Sequence, residues 1–357
     1  MPLVNSKPLT VAVVGATGVV GGTMIRMLRE RRFPVAELRL LASARSAGRT
    51  VDVDGTEHTI SEATPDAFDG VDIALFSAGG DTSKALAPEA AKRGATVIDN
   101  SSAWRMDPNV PLVVSQVNPD DLERHEGIVA NPNCSTMQLV PVLMALRDAV
   151  GLERVVVDTY QAVSGTGAKA IRELQAQVEA HVAGRSIERD VYAHQIAFNA
   201  LPQVDVFLDN GYTKEEWKLV TESRKILHLP DLRISSTAVR IPVFVAHSEA
   251  VHVETRQAIT PDRARTIFAA VPGVVVQDDP TTSTYPLATD AAGSDEVYVG
   301  RVRQDESIAE GRGLAFWVVS DNLRKGAATN AVHLAEILVE RGWVKAAAAR
   351  DAAGTPV

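Results

Sequence analysis

The sequence is poor in cysteine, since Cys134 is the only one among 357 residues. An internal disulfide is therefore excluded, and this composition fits a reducing compartment, so we expect a cytoplasmic protein. No run of about 18 apolar residues occurs, which argues against a membrane span. Residues 1–8 also lack the apolar run of a secretory signal.

Basic residues are scarce relative to acidic ones. The chain has 36 lysines and arginines against 45 aspartates and glutamates, a formal net charge of −9, which argues against a nonspecific nucleic-acid binder. Anionic small molecules stay compatible with this balance where a few basic side chains converge. The length predicts two domains, each with a core of its own, and we predict no metal site.

A glycine-rich turn follows the first apolar run. Residues 9–14 predict a buried strand and residues 23–31 a helix, and between them Gly15, Gly18 and Gly21 have the spacing G-x-x-G-x-x-G. Such a strand, turn and helix are typical of a dinucleotide-binding βαβ unit, where the backbone approaches a pyrophosphate at the helix N-terminus. The alternative is a plain tight turn.

The end of the second predicted strand, residues 37–42, indicates which dinucleotide binds. An NAD site typically has an acidic residue there for the ribose hydroxyls, whereas this chain has Ser43, Arg45 and Ser46. A guanidinium pairs well with a phosphate group, which favours NADP over NAD. The alternative is an ordinary basic loop.

Further strand and helix signals alternate through the first part of the chain. The strand predicted at residues 71–76 ends in a small-residue stretch, 77–80, which we expect to line a cofactor crevice. Other signals are a hairpin at 51–60, a helix at 83–93 and strands at 95–99, 113–114 and 128–129. This alternation predicts a doubly wound sheet.

Cys134 lies between a strand-like run, 127–130, and an apolar helix predicted at 137–146. Pro132 keeps the chain extended up to the junction, so Cys134 should lie at or beside the first helical turn. Free N–H groups and the helix dipole would stabilise a thiolate there. The alternative is a buried structural cysteine, but polar neighbours such as Asn133 favour a loop mouth and a nucleophile.

After residue 150 the pattern changes to that of a mixed or antiparallel sheet with helices. Thr213 and Glu216 have the spacing of a helix capping box. Strands are predicted at 155–163, 234–245, 250–259, 274–278 and 314–319, and helices at 168–182, from 213 and at 328–341. The alanine-rich tail, 346–357, is expected to be frayed.

Five short motifs share one resemblance: residues 15–21, 131–136, 161–165, 215–218, and 240–243 with His247 and Ser248 beyond them. Together they resemble the aspartate-β-semialdehyde dehydrogenases over nearly the whole chain. The resemblance implies a fold like that of glyceraldehyde-3-phosphate dehydrogenase. A Rossmann-type NADP-binding domain would comprise residues 1–133 and 323–357, and an α+β catalytic and dimerisation domain residues 134–322, in a homodimer.

The resemblance also implies a reaction. It is the reversible, NADPH-dependent reductive dephosphorylation of aspartyl-4-phosphate to aspartate-4-semialdehyde, which serves lysine, threonine, methionine and isoleucine biosynthesis. The partners would be the semialdehyde and phosphate, with neither nucleic acid nor membrane. Cys134 would form a thioester, His247 would accept a proton in the oxidising direction, and Gln161 would orient the intermediate and contact substrate.

The same resemblance assigns binding roles. Arg240 would clamp the substrate carboxylate through bidentate geometry, and Glu215 would attract the ammonium. Glu215 lies three residues before Lys218, on one helix face, so a solvated salt bridge is the alternative. Arg105, Lys218 and Asn133 would bind phosphate. The implied cofactor residues are Gly15, Thr17, Gly18, Val19, Val20, Ser43, Arg45, Ser46, Ser77, Gly79, Ser164, Gly165 and Asn322.

One spacing conflicts with a single strand. Arg240 and His247 are seven residues apart, which on a regular strand gives opposite faces, so Pro242 or a turn must break the alternation. Two other functions compete with the main one. An N-acetylglutamyl-phosphate reductase would have no use for Glu215 beside Lys218, and an NADP-binding redox regulator would not need the catalytic residues together.

Overall fold

The computed structural model describes residues 7–53 and 55–344, and the chain divides into two compact units. Of the described residues, the first unit comprises 7–53, 55–115, 119–131 and 331–344, and the second 116–118 and 132–330. The domain boundaries predicted from the sequence lie after residues 133 and 322. The tail expected to be frayed, 346–357, and Asp54 of the predicted hairpin lie outside the described residues.

The first unit alternates strands and helices as the sequence predicts. Its elements are β1 (Leu9–Val14), α1 (Val19–Glu30), β2 (Val35–Ala42), β3 (Thr50–Val53), β4 (Thr56–Thr59), β5 (Ser61–Glu62), β6 (Ile73–Phe76), α2 (Gly80–Lys92), β7 (Thr96–Asp99) and β8 (Ile128–Ala130). Six strands form a parallel sheet in the order β5-β2-β1-β6-β7-β8. Residues 11–14 of β1 are fully buried, as expected of a central parallel strand.

The second unit has a mixed sheet. Its elements are α3 (Cys134–Val150), β9 (Leu152–Gln161), α4 (Ala168–Val182), α5 (Lys214–Ile226), β10 (Arg233–Arg240), β11 (His247–Thr255), α6 (Pro261–Ala269), β12 (Val274–Val276), α7 (Ala288–Ala291), β13 (Val297–Gln304) and β14 (Gly313–Ser320). The strand order is β10-β9-β11-β14-β13-β12. Neighbouring strands from β9 to β13 pair antiparallel, whereas β10 pairs parallel with β9 and β12 parallel with β13. The predicted fold class is confirmed in both units.

Local signals set several element boundaries in the second unit. Thr213 caps α5, with its hydroxyl accepting the Glu216 N–H and the Glu216 side chain accepting the Thr213 N–H, so the predicted capping box is confirmed. The last helix, α8 (Thr329–Glu340), follows a π-helical turn at Arg324–Ala328, and all but its first two residues belong to the first unit. Within the described residues, no helix combines the length and apolarity needed to cross a membrane.

Some predicted elements are wrong. Residues 113–114 form no strand, and nearby only Leu112 makes an isolated bridge, to Ala130. The strand predicted at 234–245 ends at Arg240, because Pro242 has no N–H for a ladder and Ala246 has a left-handed backbone with φ 77°. Four of the observed elements were not predicted: β5, α6, α7 and β13.

The break between β10 and β11 resolves the spacing conflict. Arg240 is the last residue of β10 and pairs with Gln161, the last residue of β9. His247 is the first residue of β11 and pairs with Ser320. Since the two residues lie on different strands, the alternation along one strand does not separate their side chains. The alternation is thus broken between Arg240 and His247, which is the condition that the spacing sets if both residues are to reach one site.

Candidate active site

Cys134 is the first residue of α3, as the sequence predicts. Asn133 caps this helix: its Oδ1 accepts the N–H groups of Ser135 at 3.0 Å and Thr136 at 3.3 Å. A Cβ on Gly326 would lie 2.8 Å from the Cys134 Cβ. The missing side chain at Gly326 thus lets the π-helical turn approach the cysteine closely.

Glu215 connects three parts of this unit. Its Oε1 accepts hydrogen bonds from Asn133 Nδ2 at 2.8 Å and Gln161 Nε2 at 3.3 Å, and its Oε2 from Lys218 Nζ at 3.0 Å. Burial alone would raise the pKa of this carboxyl, but the charge of Lys218 and the Asn133 hydrogen bond lower it to about 2. Glu215 is therefore ionised at neutral pH.

Gln161 ends β9 and is fixed by the same cluster. Its Nε2 also donates to Ser135 Oγ at 3.1 Å and Thr159 Oγ1 at 3.2 Å. Ser135 is the residue after Cys134, so the amide of Gln161 and the first turn of α3 are held together. Asn133 is engaged further, since its backbone N–H donates to Glu222 Oε2 at 2.7 Å.

The backbone of Ala162 links Arg240 and His247. Its carbonyl accepts from Arg240 Nη1 at 2.7 Å, and its N–H donates to His247 Nδ1 at 3.0 Å. Burial and the charge of Arg240 lower the pKa of His247 to about 3. The imidazole is then neutral at neutral pH, and because Nδ1 accepts a hydrogen bond, its proton lies on Nε2.

Two buried nitrogen donors lack partners at this point. Arg240 Nε and His247 Nε2 have no hydrogen-bond partner among the described residues. A Cβ on Gly165 would lie 3.1 Å from Arg240 Nη1 and 3.3 Å from His247 Nε2, so both side chains border Gly165. Buried polar groups are usually satisfied, and this pair of unpaired donors fits a ligand with oxygen acceptors.

The predicted phosphate-binding residues fall into different units. Lys218 belongs to the second unit and contacts Asp205 Oδ2 at 2.9 Å in addition to Glu215. Arg105 belongs to the first unit, where its Nε donates to the Asn131 carbonyl at 3.0 Å and its Nη2 to the Asn100 carbonyl at 2.7 Å.

The nucleotide turn of the first unit fits a dinucleotide phosphate. Gly15 has φ +86°, and a Cβ there would lie 2.3 Å from the Ser77 carbonyl oxygen, so this tight turn requires glycine. Gly18 is the N-cap of α1 and no side chain caps the helix, which leaves its N-terminal N–H groups for an anion. Gly79, with φ 85°, likewise precedes α2.

The other predicted cofactor residues are placed as follows. Thr17, Val19 and Val20 belong to the glycine turn and the start of α1. Ser43, Arg45 and Ser46 form a single 3₁₀ turn directly after β2, where the Arg45 side chain is exposed and Ser46 is buried. In the second unit, Asn322 Nδ2 donates to Ser164 Oγ at 2.9 Å, and its Oδ1 accepts the Ala246 N–H at 2.9 Å.

Sequence reasoning missed several contributors to this cluster. Glu222 lies seven residues after Glu215 on α5, a spacing that returns to the same helix face, so this signal was available. Asp205 precedes α5 in a segment without periodic pattern. Ala162 contributes through its backbone N–H and carbonyl. Nearly every residue type has these groups, so the sequence does not reveal the contact.

Comparison with known proteins identifies the class to which this fold and cluster belong. The model of the semialdehyde dehydrogenase NAD binding domain matches residues 10–125, and that of the semialdehyde dehydrogenase dimerisation domain matches residues 143–325. The chain is thus a two-domain member of the semialdehyde dehydrogenases.

Individual relatives identify the family within that class. Aspartate-semialdehyde dehydrogenase of Aquifex aeolicus is 54% identical over 338 residues, 94% of this chain and 99% of that protein. The Bacillus subtilis enzyme of the same name is 52% identical, covering 93% and 98%. The crystal structure of aspartate semialdehyde dehydrogenase II from Vibrio cholerae has a TM-score of 0.90 at 46% identity, covering 94% and 99%. The chain belongs to the aspartate-semialdehyde dehydrogenase family, which confirms the resemblance.

We predict that Gly165→Ala impairs the reaction without unfolding the protein. The added methyl group must displace Arg240 or His247, and such overpacking costs about 1–3 kcal/mol, which corresponds to a roughly ten- to hundredfold loss in kcat/KM if the cost falls on the reaction. Steady-state kinetics with thermal melting of both proteins provide the check. Unchanged kinetics would show that neither side chain needs its present position.

Proposed function

We propose that this protein is an NADP-dependent aspartate-semialdehyde dehydrogenase. It would reduce L-aspartyl-4-phosphate to L-aspartate-4-semialdehyde with release of phosphate, through a thioester on Cys134, in the synthesis of lysine, threonine, methionine and isoleucine. The observation that carries the proposal is the combination of Cys134 at the start of α3 with the unpaired buried donors of Arg240 and His247. Membership of the family supplies the substrate class.

The first step is attack by Cys134 on the acyl carbon. The sulfur forms the new bond, the carbonyl electron pair moves to oxygen, and the phosphate leaves as the carbonyl re-forms. Asn133 supports this step indirectly, since it fixes the helix turn that carries the thiol. Bound NADPH would supply the hydride for reduction of the thioester. The C–S bond then breaks as the aldehyde carbonyl forms, and its electron pair returns to the sulfur of Cys134.

Four charged side chains would bind the two ends of the substrate. Arg240 keeps its Nε free and buried, which suits a fork contact with the substrate carboxylate. Lys218 would bind the phosphoryl group as a point charge, together with Arg105 and Asn133. Glu215, ionised but already hydrogen-bonded through both oxygens, would attract the substrate ammonium by charge.

His247 would donate a hydrogen bond to the substrate carbonyl oxygen in the reductive direction. The Ala162 N–H at Nδ1 supports this role because it leaves the proton on Nε2. Donors aimed at a developing oxyanion are among the strongest contributions to acyl transfer. The acceptor role that the family implies in the oxidising direction requires the other tautomer, in which Nδ1 releases the Ala162 N–H.

NADP would bind the first unit. Gly15, Gly18 and the uncapped start of α1 would hold the pyrophosphate, and Arg45 with Ser43 the 2′-phosphate. The second unit would form a homodimer. That assignment is supported by the dimerisation domain it matches and by the exposed side chains of Phe198, Val206 and Phe207.

The reaction is tested in the oxidising direction by phosphate-dependent NADPH formation from aspartate semialdehyde. We predict that Cys134→Ala abolishes this activity and retains NADP binding, because the thiol forms the covalent bond while the cofactor residues of the first unit are untouched. Absorbance assays and cofactor titration measure the two properties. Ordinary turnover by Cys134→Ala would refute the thioester mechanism, and activity with N-acetylglutamate semialdehyde alone would refute the substrate.

Cofactor choice is tested at Arg45. We predict that the unmodified protein prefers NADP to NAD and that Arg45→Ala erases most of this preference, since a charge-assisted contact contributes about 1.5–3 kcal/mol. Arg49→Ala is the matched control, because Arg49 is also exposed and lies just outside the 3₁₀ turn. Equal use of both cofactors by the unmodified protein would contradict the assignment.

The role of His247 is tested by two substitutions. We predict that His247→Gln, which keeps an N–H donor near the position of Nε2, retains more activity in the reductive direction than His247→Ala. Loss of a donor to an oxyanion lowers kcat about 10²- to 10³-fold. His247→Ala should lose activity by a factor in that range, and His247→Gln by a much smaller factor. If both variants are equally impaired, proton transfer and not hydrogen bonding is the essential function of His247.

A further inference from the structure

Lys218 lies between two carboxylates. Its Nζ is 3.0 Å from Glu215 Oε2 and 2.9 Å from Asp205 Oδ2. Two negative charges around one ammonium leave a net charge of −1 at this point. An incoming phosphate dianion therefore meets repulsion at the residue proposed to bind it, unless one of the two carboxylates gives way.

The two carboxylates are held very differently. The Glu215 side chain is 8% exposed, lies on the same helix as Lys218, and is also bonded to Asn133 and Gln161. The Asp205 side chain is 31% exposed, and among the described residues its Oδ1 accepts one hydrogen bond, from the adjacent Val206 N–H at 2.9 Å. Asp205 is the partner that can be released at lower cost.

The backbone around Asp205 is consistent with that difference. Residues 183–213, all described, form neither helix nor strand, apart from isolated bridges. Asp205 itself has a left-handed backbone with φ 69°, which is uncommon outside glycine, although aspartate tolerates it better than most residues. Segments without regular structure rearrange more easily than helices.

A second cation is available to a released Asp205. Lys214 lies four residues before Lys218 on α5, so the two share a helix face. Partial burial works to raise the pKa of Asp205, but Lys218 and, to a smaller extent, Lys214 lower it overall. Asp205 is thus ionised at neutral pH and remains within the field of a positive charge after it leaves Lys218.

We propose that Asp205 is the resting counter-ion of Lys218 and competes with phosphate for it. In the absence of phosphate, Asp205 neutralises the ammonium and holds it in place. When phosphate or the phosphoryl group of the substrate binds, it displaces Asp205, and Glu215 keeps Lys218 in position. The strength of the Asp205–Lys218 contact then sets the affinity for phosphate. This inference rests on the proposed function.

The test replaces Asp205 by an uncharged isostere. In the oxidising direction, Asp205→Asn should lower the KM for phosphate about three- to tenfold and leave the KM for aspartate semialdehyde within about twofold, as expected for loss of one partly exposed competing charge. Asp209→Asn is the matched control, since Asp209 is an exposed acid of the same segment and its replacement removes the same charge from the protein. It should leave both constants unchanged.

Binding without turnover provides a second readout. Inorganic phosphate, added at constant ionic strength against chloride, should raise the Tm of Asp205→Asn at lower concentrations than that of the unmodified protein. An unchanged or higher KM for phosphate in Asp205→Asn would overturn the inference, because Asp205 would then be idle or would position Lys218 for phosphate. An equal fall in Asp209→Asn would also overturn it, since long-range charge would explain the effect.

Failure of the proposed function has a different signature. If the unmodified protein oxidises the semialdehyde without dependence on phosphate, the proposed reaction is wrong. If Lys218→Ala leaves the KM for phosphate unchanged, Lys218 is not the phosphate site. Should Lys218→Ala raise that KM while Asp205→Asn does not lower it, the reaction and the phosphate site stand and only the competition by Asp205 is refuted.

Discussion

The ionised carboxylate of Glu215 is the group on which the geometry of the candidate active site depends. A buried charge is costly, with an effective penalty of several kcal/mol per ion, and it persists here because Asn133, Gln161 and Lys218 all donate to it. Each donor is thereby fixed in turn: Asn133 at the cap of α3, Gln161 at the end of β9 and Lys218 on α5. Loss of the negative charge would leave two amide donors and an ammonium without their common acceptor, so the cluster must respond as a unit.

The backbone of Ala162 fixes two further side chains of the cluster, those of Arg240 and His247. Arg240 and His247 come from the end of one strand and the start of another, and the sheet brings both strands beside β9. The backbone of Ala162, the residue that follows β9, then bonds to both side chains, through its carbonyl to Arg240 and through its N–H to His247. Orientation of the guanidinium and choice of the imidazole tautomer thus follow from the backbone of one residue, and only proline at position 162 would remove the N–H itself.

Local signals were sufficient for part of this arrangement. Pro132 predicts that Cys134 lies at or beside the first turn of a helix, and α3 begins at Cys134. The capping box of α5 follows from Thr213 and Glu216 alone. The sequence does not show contacts between residues that are distant along the chain. It also gives little sign of the break after β10, since residues 234–245 are apolar enough for one strand and only Pro242 indicates an interruption. Asp205 and Ala162 act through tertiary placement, so their residue types give no sign of the contacts they make.

Charge balance decides how the cluster discriminates between ligands. Arg240 and Lys218 are balanced by Glu215 and Asp205, so these four side chains carry no net charge at neutral pH. Before Asp205 is displaced, attraction of an anion therefore rests on donors without hydrogen-bond partners among the described residues, such as Arg240 Nε and His247 Nε2, and not on excess positive charge. A ligand without acceptors at those positions would leave both donors buried and unsatisfied, at a cost of about 1–3 kcal/mol each. Such a site rejects poorly matched ligands more strongly than a merely basic pocket would.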